Sequence, residues 1–520
     1  MIKIIAMKRT IYTLLLAVAT PFLINAQDLT DALRFSNFQM QGTARAGSMG
    51  NAFGALGGDF TSVSINPAGL GIYRSSEFVF SPTFGQTEIE TNYHGNLMTD
   101  NKYNFLFENL SYVASLQPKN QSETGLININ VGIGFNKLKD FNSVANILGH
   151  NVQSSFLDNL LENANGEDPY QGWSEFYEEL AYFNPDTETG ADLIYEEEGF
   201  WRSDLQQNPF DENIQNYEHS QRKSISRQGG INEYSLAVGL NFNHKLYLGA
   251  SVGIVDVTYK ESSSFNEWDQ QNIIPRFNEM QFDRYLGVNG TGYNGKLGII
   301  FKPTNEIRLG ASVHTPTFYN LYETFDTYMY SNNTFEDIGD VEDEAASRIN
   351  DYDYDLETPL RATLSAAYIF PDKGLISVDY EYVDMGTAKL RRGGGGYNFV
   401  DENGDIAEVY KPAGNLRIGG ELLATTNISL RAGYELYPSV YNEEAFGADQ
   451  PNSESRLNVF SAGIGYRTGG FFIDLAYRHS FSESFDLLYQ APSSGYYPVP
   501  EMASFNEANN KVMFTLGFKF

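Results

Sequence analysis

Arg308, Arg361, Arg417, Arg431 and Arg478 recur in segments where polar and apolar residues alternate, and all five fall on the polar side. Glu306, Asp379, Glu381, Glu421, Glu435 and Asp474 stand on the same faces. A guanidinium is a planar fork that can grip a carboxylate through two parallel hydrogen bonds. Arg308, Arg361, Arg417 and Arg431 are therefore candidate contacts for a ligand carboxylate. The neighbouring acids offer a competing arrangement, in which the arginines form ion-pair ladders, and the sequence favours that one. "DYDYD" (Asp351 to Asp355) sets three carboxylates on one strand face and two tyrosines on the other. Calcium takes oxygen ligands of this kind, but a solvated acidic loop is the favoured reading of the run, and "DENGD" (Asp401 to Asp405) reads as a turn. No metal and no cofactor is expected. The six histidines carry no local Ser or Asp signature, so no enzyme is expected either.

These side chains need a scaffold with two faces. "NLRIGGELLA" alternates Leu416, Ile418 and Leu422 with Arg417, Gly419 and Glu421. "NISLRAGYEL" and "PLRATLSAAYIF" do the same, the latter with Leu364 opposite Arg361 and Thr363. Period two means strands with one apolar and one polar face. About fourteen such runs begin near Ser75, Phe105, Gly125, Ile231, Lys245, Tyr285, Asn305, Pro359, Gly374, Ala413, Asn427, Arg456, Gly470 and Ala508. Tight connections ("NHK", "PTN", "PDKG", "TTN", "TGG") alternate with long acidic or Gly-rich ones. Loops sorted by length in this way mark a transmembrane barrel with an even strand number. In lipid every backbone group must be paired, so the sheet must close. The expected fold is all-β: a closed antiparallel barrel of about fourteen strands, its apolar face outward. Asp256 in "GIVDVTY" breaks the alternation, which implies either a bulge or a position above the bilayer.

Composition agrees. The chain has 520 residues, 37 Phe and 34 Tyr, yet its mean hydropathy is −0.35. A net charge of −31 argues against nucleic acid as a partner. The absence of cysteine excludes disulfides, thiolate chemistry and a lipoprotein anchor. Lys8 and Arg9, then "TIYTLLLAVATPFLI", then "INA" before Gln27 read as a signal peptide over 1–26. The barrel is assigned 75–520, with its largest loop at about 140–230; "FLDNLLENA" and "GWSEFYEELAYF" in that loop have helical spacing. The final alternation Val512, Phe514, Leu516, Phe518, Phe520 resembles the signal by which barrel assembly machinery recognises its clients.

Between signal and barrel lies a Gly/Ala-rich segment, 27–74. A barrel this wide leaks unless filled, and small residues pack closely against a wall, so the segment reads as a plug. Its stretch "FQMQGTARAGSMGNAFGALGGDFTSVSINPAGL" resembles the N-terminal hatch of the FadL/TodX family of outer-membrane transporters. Asn66, Pro67 and Ala68 match the Asn-Pro-Ala motif of that hatch residue by residue. The resemblance implies a Gram-negative outer-membrane protein for passive uptake of hydrophobic compounds such as long-chain fatty acids. It further implies that cargo leaves sideways into outer-membrane lipid, through a gap where the third strand kinks inward. Here that strand is "GLININVGIGFNK", and Gly132 and Gly134 are the candidates for the kink; they are equally suited to packing against the hatch. The long loop after strand three departs from the family pattern, so no capture-groove residues are carried over. Haem or another hydrophobic ligand, and an adhesin or structural barrel using its loops, are the alternatives.

Overall fold

The computed structural model describes residues 29–116, 125–165, 180–182, 190–197, 199–205, 218–393, 396–492 and 497–520. The expected signal peptide and most of "GWSEFYEELAYF" lie outside them.

Fourteen antiparallel strands close into a barrel. They are β1 (Glu77–Tyr93), β2 (Asn96–Leu116), β3 (Leu126–Asp140, then Ser143–Val152), β4 (His219–Phe242), β5 (Leu246–Trp268), β6 (Phe277–Phe301) and β7 (Ile307–His314, then Phe318–Phe335). There follow β8 (Gly339–Ala346, Asn350–Glu357 and Arg361–Phe370), β9 (Gly374–Asp384), β10 (Pro412–Leu423), β11 (Ile428–Tyr437), β12 (Leu457–Thr468), β13 (Phe471–Leu487) and β14 (Met502–Lys519). Closure comes from β1 against β14, in register from Glu77↔Lys519 to Asn92↔Ser504. Among the described residues no helix is long and apolar enough to cross a membrane; this chain crosses with strands.

The faces fall as the alternation requires. Ile418, Leu430 and Leu364 point outward, while Arg417, Arg431 and Arg361 are buried inside. The outward apolar belt around a closed sheet places the barrel in an outer membrane. Strands of 23 to 25 residues (β4 to β6) far exceed the roughly 9–11 needed to span a bilayer. Their far halves therefore stand above it, where the polarity inverts. β4 and β5 pair without a register shift past Asp256, so no bulge is present. Val255, Val257 and Tyr259 face a lumenal apolar core with Leu286, Val288, Leu321 and Tyr354, and Asp256 faces outward.

Three expectations need correction. No loop separates β1 from β2: a two-residue turn, His94 and Gly95 at positive φ, joins them, and β2 begins at Asn96 rather than near Phe105. The loop expected at about 140–230 is shorter, because Ser143–Val152 and His219–Phe242 extend β3 and β4 into it. Asp401 to Asp405 form no turn. They belong to helix α4 (Val400–Val409), whose Ile406 and Val409 bury one turn apart in the lumenal core.

The N-terminal segment fills the barrel. Helix α1 (Leu29–Ser36) lies in the upper apolar core, with the Phe35 ring edge-on to Phe141 and Tyr259 at 6.3 and 6.2 Å. Tyr410, next to α4, donates its hydroxyl to the Leu29 carbonyl at 2.9 Å. The chain then descends through helix α2 (Ala44–Ser48) and the 3₁₀ turns Phe60–Ser64 and Pro67–Ile72 to the short-turn end. Above the mouth, helix α3 (Phe156–Ala164) is capped by Ser155 and Asp158 in a capping box. Its Leu157, Leu160 and Leu161 bury with Leu193, Ile194, Phe265, Phe277 and Tyr489. The loop thus encloses a core of its own.

Candidate functional site

The hatch is held by wall side chains that the sequence marks as polar and inward. Arg361 donates to Glu381 at 2.8 Å and to the Ser36 carbonyl, and its guanidinium sits 4.2 Å from the Phe38 ring centroid. Arg417 donates to the other Glu381 oxygen at 2.7 Å. Arg431 bridges Glu421 (2.6 Å) and Asp474. Arg308 donates to the Leu56 carbonyl at 2.8 Å, and Arg478 to Glu435 and the Gln41 amide oxygen. All four arginines proposed for a ligand carboxylate are thus engaged by wall carboxylates or hatch carbonyls. The wall acids do the same work: Asp379 accepts from Gly54 N–H at 2.9 Å and Glu233 from the Ser64 hydroxyl at 2.6 Å.

Asn66-Pro67-Ala68 is a joint between hatch and wall. Asn66 has extended φ and caps the turn Pro67–Ile72, its Oδ1 accepting from Ala68 N–H at 3.1 Å. Pro67 occupies the first helical position, where its missing N–H costs nothing. The Asn66 Nδ2 donates to the Gly54 carbonyl (2.7 Å) within the hatch and to the Ile299 carbonyl (3.1 Å) on β6. One amide therefore fastens three pieces of chain. This contact is possible because the facing wall has no side chains. Gly239, Gly249 and Gly298 are cross-strand partners on β4, β5 and β6. A Cβ at Gly298 would lie 1.9 Å from Asn66 Oδ1, and one at Gly249 would lie 2.1 Å from the Pro67 carbonyl carbon. Gly419 and Gly433, paired on β10 and β11, receive Met49 and Gly50 in the same way. The sequence reading missed these glycines; their signal was Gly at inward positions of neighbouring strands.

Gly132 and Gly134 do not break β3. Gly132 pairs with Val113 on one side and Ala237 on the other, and Gly134 with Ser111 and Ser235. They serve the hatch: a Cβ would lie 3.0 Å from the Phe60 ring at Gly132 and 2.5 Å at Gly134. The break comes just above them. Pairing between β2 and β3 ends at Asn109↔Asn136, and the β3–β4 register shifts between Lys137 and Lys139. From there Ser143–Val152 passes inside the β1–β2 hairpin, where the Asn146 carbonyl accepts from Thr91 at 2.6 Å and its N–H donates to Asp100 at 2.7 Å. Asn96 to Phe107 of β2 is paired with β1 alone, with Phe105 and Phe107 exposed on its outer face. At the lower edge of this opening an amide chain leads to the hatch. Asn109 donates to Asn136 (2.7 Å), and Asn136 donates to the Ser64 hydroxyl (2.9 Å).

Inside, a chamber of about 300 Å³ lies among the hatch, β3 and β12 to β14, with Gln39, Gln41, Lys139, Arg478 and Lys511 on its walls. Over the mouth, burial pushes the Asp158 carboxyl well above its usual range. Asp192 and Asp204 are likewise raised by burial, opposed by Arg276, which pairs with both at 3.2 and 3.4 Å. Among the described residues no group of three or more acidic or histidine side chains is placed to hold a metal.

Barrel, plug and interrupted wall define the class: a hatch-plugged, fourteen-stranded outer-membrane barrel. No protein-family model and no curated protein matches the sequence. Among solved structures, the chain is similar to the Pseudomonas putida toluene transporter TodX, at 14% identity and a TM-score of 0.50 over 93% of this chain and 99% of that one. It is similar also to a Pseudomonas aeruginosa FadL homologue, at 13% identity and a TM-score of 0.51 over 92% and 98%. At such identities the likeness is one of fold.

Proposed function

We propose that this protein is a passive channel for hydrophobic compounds, which enter from above, displace the hatch locally and leave sideways through the opening between β2 and β3. The observation that carries the reading is that opening. A closed barrel in lipid has no reason to leave the β3-facing edge of β2 open from Phe105 to Phe107, beside the outward apolar belt, because each orphaned backbone group there costs several kcal/mol in hydrocarbon (roughly 2–7). A cargo worth roughly 0.8 kcal/mol per buried CH₂ gains nothing from a watery pore and much from an exit into the membrane. The Asn109–Asn136–Ser64 chain ties that exit to the hatch, so a moving hatch changes the gap. One structural relative is a toluene transporter. For this chain the cargo class is long-chain fatty acids: Lys139, Arg478 and Lys511 line the chamber together with Asp140 and Glu507, and a cargo carboxylate would exchange with the acids that hold Arg478 and Lys511. Cells lacking their own long-chain transporter, given this chain, should gain uptake of labelled oleate. Uptake no faster than in empty-vector cells, with the barrel assembled, would contradict the reading.

A further inference from the structure

At the short-turn end a second cavity, of about 280 Å³, opens where the hatch meets the wall. Arg45 and Arg74 from the hatch, Arg308 from β7 and Lys519 from β14 line it, and no described carboxylate does. In a chain of net charge −31 that is a concentrated patch of the opposite sign. Arg45 and Lys519 are partly neutralised, by Glu421 at 3.4 Å and Glu77 at 3.2 Å. Arg308 has no carboxylate partner among the described residues, its buried Nε has no acceptor, and it lies close enough to Arg45 and Arg74 for mutual repulsion. Buried donors without acceptors and uncompensated like charges are both relieved by an anion. Leu56 and Ile72 give the same cavity an apolar side.

We propose that this cavity is a binding site for the oxyanion head of an amphiphile, with Arg308 as the principal contact and the first methylenes against Leu56 and Ile72. At roughly 30 Å³ per water, the space holds about nine waters, enough for a head group and a short stem. The oxyanion has two sources: the carboxylate of a free fatty acid, or the phosphate of an anionic phospholipid in the adjoining leaflet. The site stands on its own charge and shape and does not need the sideways exit.

The chain has no cysteine, so Ser75→Cys at the rim takes a single environment-sensitive fluorophore. Full-length protein in a neutral maltoside detergent is titrated with decanoate and with decanol. Decanoate should saturate the signal and decanol should not. Arg308→Gln should weaken decanoate at least tenfold, and Arg308→Lys, which keeps the charge, should restore most of it; heat-modifiable mobility confirms that each variant is folded. In nanodiscs without fatty acid, a signal present in phosphatidylglycerol and absent in phosphatidylcholine assigns the site to a lipid head group. Equal signals in the two lipids, with decanoate still binding, assign it to the free carboxylate. Equal titration by decanol, or an unchanged titration in Arg308→Gln, overturns the proposal. A chain that fails to import oleate yet binds decanoate beside residue 75 sinks the transport reading and leaves this site in place.

Discussion

Arg417 and Ile418 are adjacent in sequence and opposite in surroundings, the first 2% exposed within the lumen and the second 37% exposed to lipid. Ile418→Arg near the bilayer midplane should cost about 2–4 kcal/mol. Arg417→Gln should cost less, because Glu381 keeps Arg361 at 2.8 Å and Asn415 at 2.9 Å. Guanidine unfolding in lipid vesicles measures both, and equal losses would contradict the face assignment. Asn66→Ala removes a cap worth about 1 kcal/mol together with the amide's hold on Gly54 and β6. The barrel should stay folded while open-state conductance events become more frequent in planar bilayers; an unchanged trace would show that Asn66 is no joint. At this scale the sequence was readable wherever charge or a motif marked a role. It was silent on Gly239, Gly249 and Gly298, because a glycine's function here is the space it leaves for a segment some 170 to 230 residues away.

The barrel strands were legible because lipid outside and a polar lumen impose opposite demands on alternate residues, as Leu364 and Arg361 show. Legibility failed where those demands lapse. Above the bilayer the lumen turns apolar, so Asp256 read as an irregularity. In the β1–β2 hairpin neither face of Asn96 to Asn104 is buried, so no alternation marks the start of β2. The break in β3 lies beyond Gly132 and Gly134, because it depends on pairing with β2, which no local pattern records. The hatch, as an element, fills space that would otherwise conduct. Deleting Leu29 to Gly58 should leave a heat-modifiable barrel and raise single-channel conductance severalfold. A low, unchanged conductance would mean the segment is not a plug. Gly298→Val tests the same docking from the wall side: the new side chain overlaps Asn66, so the hatch should become protease-sensitive with the barrel unaffected. Protection equal to the parent protein would contradict the close packing.

For the molecule as a whole, the proposed transport requires that the hatch move while the barrel stays assembled. The lumen supports this division: wall arginines and carboxylates grip the hatch through hydrogen bonds to its backbone, as Asp379 holds Gly54 and Arg308 holds Leu56, whereas the strands are bonded to one another around the ring. A lock between hatch and wall should therefore abolish transport without touching the barrel. A Cβ built on Gly54 lies 3.0 Å from the Ser365 Cβ, slightly inside the roughly 3.5–4.5 Å of a disulfide, and the parent chain has no thiol to interfere. The measurement is labelled oleate uptake by cells carrying Gly54→Cys with Ser365→Cys, before and after reductant. Uptake absent when oxidised and restored on reduction is the predicted result. Native uptake by the fully oxidised, cross-linked protein would contradict the central claim that cargo passes only when the hatch gives way.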